Sequence, residues 1–301
     1  MDLAALGDCL GTSSCLIFQT VGGLKIGLLM FLVASGLTLI FGVLGVINFA
    51  HGSFYMLGAY LAWQTMALTD NFYLAVLAAA LGVGLFGVLF ERGFMSRVYR
   101  GDVLVQILLC YAFILILDDL VIIVWGEEFL SSLGIPDAFR RPPLFVGGAI
   151  VPVFHLFIIG FSTLVAVALW LFMTRTKWGK ITRAAEQNPL MVSALGINTS
   201  LLFAGIFALG SLLAGLGGAL AASERSISSG MGFSVVLESF IVTVIGGMGS
   251  IGGAFVAALL IGMTRSFGAI GFPLFTDGLM FVLMCLVLVL RPQGLMGRSG
   301  G

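Results

Sequence analysis

The stretch RTKWGKITRAAEQNPLMVSALGIN, residues 175–198, is the one long polar interruption between two strongly apolar halves of the chain. It carries four of the fourteen basic residues and has helix signals at both ends of a short segment. Asn188 suits an N-cap, Pro189 suits the first helical position, and Gly196 suits the left-handed residue after a helix. These signals predict a helix over residues 189–195, within an extramembrane segment (175–198) that we call the handle.

Composition on both sides of the handle is that of a membrane protein. Hydrophobic residues make up 60% of the chain and charged residues 9%, with zero net charge, whereas soluble domains carry roughly 25% charged residues. Several runs are long enough to cross a ~30 Å hydrocarbon core as helices, namely residues 26–41, 74–90, 103–117, 157–173, 201–222 and 274–290. The sequence therefore predicts an all-α polytopic membrane protein that forms one domain over residues 1–301, with lipid around it and no nucleic-acid partner.

The basic residues orient the spans, because Lys and Arg accumulate in cytoplasmic loops. Nine of the fourteen fall in three places that we assign to the cytoplasm: Arg92, Arg97 and Arg100; Arg175, Lys177, Lys180 and Arg183 of the handle; and Arg291 and Arg298 of the C-terminal tail, residues 291–301. The N-terminal tail, residues 1–18, and the acid-rich segment 125–152 then lie outside. No cleavable signal peptide is evident, so the first span is expected to direct its own insertion.

Crossing parity constrains the late glycine-rich segment. A first span ending near Gly42 is followed by spans over 46–68, 72–96, 103–125, 155–174 and 199–223, with a last span over 273–290. The residues between the last two, 233–267, must start and finish outside. We therefore expect about seven full spans plus a re-entrant pair of half-helices, broken around residues 246–253 and surrounded by protein or a water-filled cavity.

A second break is predicted at residues 45–58, where the polar residues Asn48, His51 and Ser53 interrupt apolar sequence. Two discontinuous helices at opposite ends of a chain are typical of transporters, which bind substrate at such breaks. We expect the breaks to line a translocation path, with these residues in it: Asn48, His51, Ser53, Tyr55, Glu238, Thr243, Gly246, Gly247 and Gly249.

Charged residues within spans cost about 2.5–3.5 kcal/mol each at mid-depth, so each is a functional candidate. Asp118 and Asp119 either reach water at the membrane interface or serve transport. Glu238 either has a structural role or lines the path. Glu224 and Arg225, directly after the sixth span, are expected to form a pair at the outer rim.

Histidine and cysteine residues give no metal or catalytic pattern. His51 has no other His, Cys or carboxylate near it in the sequence, so packing and a path role both remain open, while a metal site or proteolytic dyad has little support. Cys110 and Cys285 lie in apolar runs, where cysteine is a small core residue. Cys9 and Cys15 are near neighbours that would pair only in an oxidising compartment.

Two stripes of small residues run along the sixth span at four-residue spacing, which lets helix backbones approach closely in lipid. The stripes consist of Gly210, Ala214, Gly218 and Ala222, and of Ser211, Gly215, Ala219 and Ser223. They predict tight packing on a wide face, either within this chain or against another subunit.

No nucleotide site is expected in the chain. Gly247, Gly249 and Gly252 match G-x-G-x-x-G, but no strand precedes them. Lys180 follows a glycine but lacks the other residues of a phosphate loop. We therefore expect no cofactor, and any ATP that drives transport would be hydrolysed by another subunit.

Four motifs, in order, resemble the permease subunits of branched-chain (hydrophobic) amino acid ABC importers, the LivH-like group. They are GLTLIFGVLGVINFAHGSFYMLGAY (36–60), ALGIN (194–198), VIGGMGSIGGAFVAALLIG (244–262) and RPQGL (291–295). The resemblance implies a bacterial inner-membrane protein with a second permease subunit (LivM-like or a second copy), two cytoplasmic ATP-binding subunits and an external solute-binding protein.

The same resemblance implies that residues 184–196 form the coupling helix received by an ATPase groove. The coupling residues would be Arg183, Ala184, Ala185, Glu186, Asn188, Pro189, Ala194, Leu195 and Gly196. Urea, amides or aromatic acids remain alternative solutes, and an autonomous secondary transporter or channel remains an alternative class of protein.

Overall fold

The computed structural model describes residues 3–99, 101–140 and 142–297; Arg100 and Arg298, used above to orient the chain, lie outside these residues. The apolar runs form helices, because a helix pairs its own backbone groups where water is absent. The helices are α1 (Leu3–Gly11), α2 (Ser13–Leu44), α3 (His51–Thr69), α4 (Phe72–Phe90), α5 (Ser96–Val98), α6 (Val103–Trp125), α7 (Val153–Arg175), α8 (Lys177–Gln187), α9 (Pro189–Ala194), α10 (Thr199–Ala221), α11 (Met231–Gly246), α12 (Ile251–Gly271) and α13 (Thr276–Leu290).

Shorter elements join these helices. A π-helical turn, Glu91–Met95, links α4 to α5, and 3₁₀ turns occupy Asp137–Phe139 and Pro273–Phe275. Between α6 and α7 the chain also makes a small antiparallel hairpin of β1 (Leu144–Val146) and β2 (Ala149–Val151). The fold is otherwise all-α, as the sequence predicts.

Seven helices in the described part of the chain are long and apolar enough to span a membrane, which matches the expected number. Their membership differs in one place. The 21-residue α12 is among them, whereas α3, whose sequence contains several polar residues, is not. At about 31 Å, α12 is longer than the half-helix expected there, whereas the preceding helix α11, with 16 residues, is shorter than a full span.

The bundle has two distinct ends. The handle end holds α8, α9 and the C-terminus of α2, and a Cβ built on Gly249 would lie 3.4 Å from Gly42 Cα. The hairpin end holds α1, the hairpin and the N-terminus of α2, where Ser13 Oγ donates to Gly147 O at 3.4 Å. The α11–α12 break therefore reaches the handle end instead of stopping at mid-depth.

Two helices start inside the bundle. After α2 ends, residues 45–50 turn back, so that α3 begins beside the middle of α2, with His51 Nε2 3.0 Å from Val33 O. Residues 222–230 similarly fold back from the end of α10, and Gly232 in the first turn of α11 packs against Gly52. This second fold-back satisfies the crossing parity, because α11 descends to the handle end and α12 returns.

The small residues of α10 pack within this one chain. Gly58 lies against Gly215, and Gly218 lies against the backbone of Tyr55. Every member of both stripes is buried: Gly210, Ser211, Ala214, Gly215, Gly218, Ala219, Ala222 and Ser223. The predicted tight packing is confirmed, and its partners are α2, α3 and α4 of the same chain.

A disulfide joins Cys9 and Cys15 at the hairpin end, with their Cα atoms 5.2 Å apart. Cys110 is a buried free cysteine, whereas Cys285 is exposed on α13, so only the first of these two has the core position expected of both. An exposed cysteine on a bundle helix faces the surroundings of the bundle, which in a membrane are lipid.

Candidate functional site: a charged cavity and a seam to the handle

A cavity of about 280 Å³ opens at the hairpin end, between α2, α11, α12 and the segment that follows α10. Charged side chains form one part of its wall: Lys25, Glu224, Arg225, Glu238 and Arg265. Tyr55 and Ser239 add hydroxyl groups, and the remaining wall is apolar: Ile26, Leu29, Met30, Val33, Ala221 and Val235. Of the predicted path residues, Glu238 and Tyr55 thus line this cavity.

The first charged cluster joins three distant segments. Lys25 Nζ lies 2.6 Å from Glu224 Oε2, and His155 Nε2 lies 3.0 Å from Glu224 Oε1. Burial opposes ionisation of the Glu224 carboxyl, but hydrogen bonds from His155 and Lys25 outweigh it and lower its pKa. Glu224 therefore does not form the rim pair with Arg225 expected from the sequence, since both of its oxygens are held by other groups.

The second charged cluster is centred on Arg265 of α12. Its Nη1 donates to Glu238 Oε1 at 2.9 Å, and its Nη2 donates to Asp277 Oδ1 at 3.1 Å. The bonds link α12 to α11 on one side and to α13 on the other. Both Arg265 and Glu238 keep only 20% of their side-chain surface exposed, so the pair is well shielded from solvent.

The contact between α2 and α11, which we call the seam, continues from the cavity toward the handle end, and the space between the two helices narrows along it. Thr38 Oγ1 and Thr243 Oγ1 lie 3.0 Å apart, and Thr243 Oγ1 also donates to Ser239 O at 2.8 Å. Beyond them lies a void of about 10 Å³, lined by Leu37, Phe41, Ile47, Phe240, Thr243 and Met248. The predicted path residue Thr243 thus lies at a closed, apolar constriction.

The glycine-rich break forms the handle end of the seam. Ser250 caps α12 by accepting from Gly253 N at 3.1 Å. Gly247 and Gly249 have φ values of +99° and +85°, which side-chain-bearing residues rarely adopt. The C-terminal segment covers the break, since Leu295 N donates to Ile245 O at 2.8 Å and Met296 N to Gly246 O at 3.1 Å.

Three predicted path residues lie elsewhere. Asn48, His51 and Ser53 are all buried around the start of α3, and no cavity described above includes them. His51 Nε2 faces a carbonyl, which can only accept, so Nε2 carries the proton, while Asn48 Oδ1 lies 3.6 Å from Cys110 Sγ. Their positions favour the packing alternative over contact with a solute.

The handle consists of two helices rather than one. Thr176 ends α7 and caps α8 by accepting from Gly179 N at 3.0 Å, so the chain turns without a loop. Ala185 is fully buried, which removes its side chain from any docking surface. Arg183 and Glu186 line a cavity of about 300 Å³ together with Gly249, so these handle residues face the break.

The second handle helix, α9, has the predicted caps. Asn188 accepts from Met191 N at 3.0 Å, Pro189 occupies the first turn, and Gly196 follows with a φ of +80°. The helix ends at Ala194, one residue before the predicted end. Three large apolar side chains are exposed on or beside it: Leu190 (82%), Met191 (60%) and Leu195 (74%).

Metal chemistry finds no support in the described part of the chain, where no group of three or more His, Cys, Asp or Glu residues could hold an ion.

Asp118 lies beside the Gly230 backbone at the start of α11, where a carboxylate suits the N-terminal end of a helix. Asp118 is half-buried there, whereas Asp119 is exposed.

Sequence reasoning missed several cavity residues. Lys25 and Arg265, which line the cavity, were not singled out. The available signal was the charge itself, because a cation inside an apolar run needs a partner or a function. Nothing in the sequence indicated which carboxylates would be those partners.

Comparisons with known proteins agree with this architecture. A family model described as "Branched-chain amino acid transport system / permease component" matches residues 19–288. The high-affinity branched-chain amino acid transport system permease protein BraD of Pseudomonas aeruginosa is 32% identical, over 93% of this chain and 95% of its own length. The corresponding protein LivH of Salmonella typhimurium is 29% identical with the same coverage.

Among solved structures, PsaBC from Streptococcus pneumoniae in complex with Fab shares the fold, with a TM-score of 0.52 over 96% of this chain and 95% of that chain, at 11% identity. BraD and LivH are transport permease proteins rather than enzymes. The chain belongs to the branched-chain amino acid transport permease family and is a multi-span membrane component of an ABC transporter.

Proposed function

We propose that the chain forms the translocation path of an ATP-driven importer for branched-chain or related amino acids in the bacterial inner membrane. Solute would enter from the hairpin end and leave at the handle end. The chain would bind no nucleotide itself. Two cytoplasmic ATP-binding subunits would supply the energy, an external solute-binding protein would deliver substrate, and a second permease subunit, LivM-like or a second copy, would complete the membrane core.

Charge and redox chemistry support this orientation. Basic residues concentrate at the handle end, which suits the cytoplasm. The Cys9–Cys15 disulfide lies at the hairpin end, which suits an oxidising exterior. The N-terminus would therefore face outward and the C-terminus inward.

The α2–α11 seam is the candidate path. Its wide end holds charged residues, its middle holds the Thr38–Thr243 contact, and its narrow end is closed by apolar side chains. Gly246, Gly247 and Gly249 lie where the seam meets the handle. An opening movement would have to separate α11 from α2 at this point.

The observation that carries the proposal is the exposed apolar surface of α9. Leu190, Met191 and Leu195 face outward on a segment that also carries four basic residues, and exposed apolar patches commonly mark interaction sites. Behind it, a Cβ built on Gly249 would lie 2.8 Å from Glu186 Oε1. Movement of the handle by an ATPase would therefore act directly on the break.

The test is ATP-dependent uptake of radiolabelled leucine by proteoliposomes that contain the chain with its permease partner, ATPases and binding protein. Leu190→Gln combined with Leu195→Gln should reduce ATPase co-purification and uptake at least tenfold, since each removes about 1.5–3 kcal/mol of apolar burial at the interface. Leu144→Gln, on the exposed face of β1, is the matched control and should leave both unchanged.

Uptake that persists without any ATPase would overturn the importer proposal. Equal assembly and transport in the handle variant and the control would overturn the docking role of α9. Uptake of urea or amides in preference to leucine would leave the mechanism intact and change the solute.

A further inference from the structure

The wall of the cavity at the hairpin end contains charged groups that remain unpaired after its own residues have formed their ion pairs. Lys25 and Glu224 satisfy one another together with His155. Arg225, in contrast, makes no ion pair with any described residue, although it lines the same cavity. An unpaired guanidinium is therefore available beside a carboxylate cluster.

One carboxylate oxygen is also available. Arg265 Nη1 donates to Glu238 Oε1, but Glu238 Oε2 has no hydrogen-bond partner among the described residues. Arg265 holds the Glu238 side chain at the cavity wall without occupying both of its oxygens. The cavity thus presents one unused cation and one unused anionic acceptor.

The rest of the wall is apolar. Side chains of α2 at three- and four-residue spacing, among them Ile26, Leu29, Met30 and Val33, form a continuous surface that faces the charged groups. Arg225 is exposed and Glu238 keeps 20% of its side-chain surface exposed, so both charges are open to water and to a ligand. A ligand that carries both charges and an aliphatic group would satisfy the whole surface.

We infer that this cavity binds an aliphatic α-amino acid as a zwitterion, with the Arg225 guanidinium bound to the carboxylate, Glu238 Oε2 bound to the ammonium, and the α2 surface in contact with the side chain. The inference rests on the proposed import function and adds a recognition site within the permease. The cavity would bind the transported solute after the solute-binding protein releases it.

The experiment is equilibrium binding of tritiated L-leucine to the full-length chain alone in lipid nanodiscs, with competition by two analogues. Leucinamide lacks the carboxylate, and 4-methylpentanoate lacks the ammonium. In the wild type each analogue should compete at least tenfold more weakly than leucine, as expected for loss of one charge-assisted hydrogen bond.

The variants assign each charge to one functional group. Arg225→Gln should abolish the preference for leucine over leucinamide and keep the preference over 4-methylpentanoate, and Glu238→Gln should do the reverse. A purely structural role would weaken all three ligands together. Arg140→Gln, an exposed arginine paired with Asp137 outside the cavity, is the matched control and should bind all three as the wild type does.

If Glu238→Gln does not fold because Arg265 loses a partner, Glu238→Asp keeps the charge, and its shorter side chain should weaken leucine but not 4-methylpentanoate. Retention of both preferences in Arg225→Gln and Glu238→Gln would overturn the inference, as would absence of leucine binding at millimolar concentration. Uptake by the assembled importer, measured in parallel, separates these results from failure of the proposed function.

Discussion

Gly249 and Gly252 belong to one glycine-rich stretch but have different surroundings. Gly249 has a φ of +85°, and a Cβ on it would lie 2.8 Å from Glu186 Oε1. Gly252 has an ordinary helical φ in the first turn of α12, and its Cβ would come no closer than 3.7 Å to Met296 Sδ. Substitutions at these two glycines therefore distinguish the effect of the backbone geometry at the break from the effect of losing a glycine in this stretch.

Gly249→Ala should impair transport while the protein still inserts in the membrane. Left-handed strain of about 1–3 kcal/mol and the contact with Glu186 would displace the break from the handle. Gly252→Ala should transport normally, because alanine is favoured over glycine in a helix by up to ~1 kcal/mol. The measurement is leucine uptake by the assembled importer, normalised to the amount inserted, and equal uptake by the two variants would contradict the role assigned to Gly249.

At the scale of elements, α10 holds the bundle together through backbone approach. It packs against α2, α3 and α4, and glycine, alanine and serine residues form two stripes within its buried surface. At glycine positions such as Gly218, even an added Cβ would overlap the backbone of α3. In lipid, where apolar side chains gain little from association, such close packing supplies the attraction between helices.

Gly218→Ala should lower the free energy of unfolding by about 1–3 kcal/mol, the usual range for overpacking. Its added Cβ would lie 2.9 Å from Tyr55 C and 3.1 Å from Ala59 N. Gly205→Ala lies on the same helix, but its Cβ would meet no atom within 4 Å. Thermal unfolding of the purified protein should distinguish the two, and a loss of stability at Gly205 equal to that at Gly218 would contradict the packing explanation.

For the whole molecule, the two ends should lie on opposite sides of the membrane. Leu144 of β1 is 48% exposed at the hairpin end, and Leu195 is 74% exposed at the handle end. Cys9 and Cys15 are joined and Cys110 is buried. A Cys285→Ser background therefore leaves no accessible native thiol among the described cysteines.

In that background, Leu144→Cys should react with a membrane-impermeant maleimide in intact spheroplasts, because the hairpin end faces outward. Leu195→Cys should react only after permeabilisation. The reverse labelling pattern would show that the chain has the opposite orientation. Labelling of both cysteine variants in intact spheroplasts would show that the two ends do not lie on opposite sides of the membrane.

The helical membrane fold, the position of both breaks and the caps of α9 could be predicted from the sequence because each depends on local chemistry. Apolar length makes a span, and Asn188, Pro189 and Gly196 each fit one backbone position. The length of α12 could not be read in this way, since a glycine-rich stretch marks irregular backbone without fixing its depth. In the structure the break lies at the handle end, where Gly249 packs against Gly42 near the C-terminus of α2.

The candidate site was decided almost entirely by tertiary structure. Lys25 and Glu224 are 199 residues apart, and Glu238 and Arg265 are 27 apart on different helices. The sequence by itself determined that the charged residues would be few and costly in an apolar chain. Only the packing of α2, α11 and α12 decided which charges meet, because an ion pair forms between neighbours in space, and helix packing brings together segments that no local pattern connects.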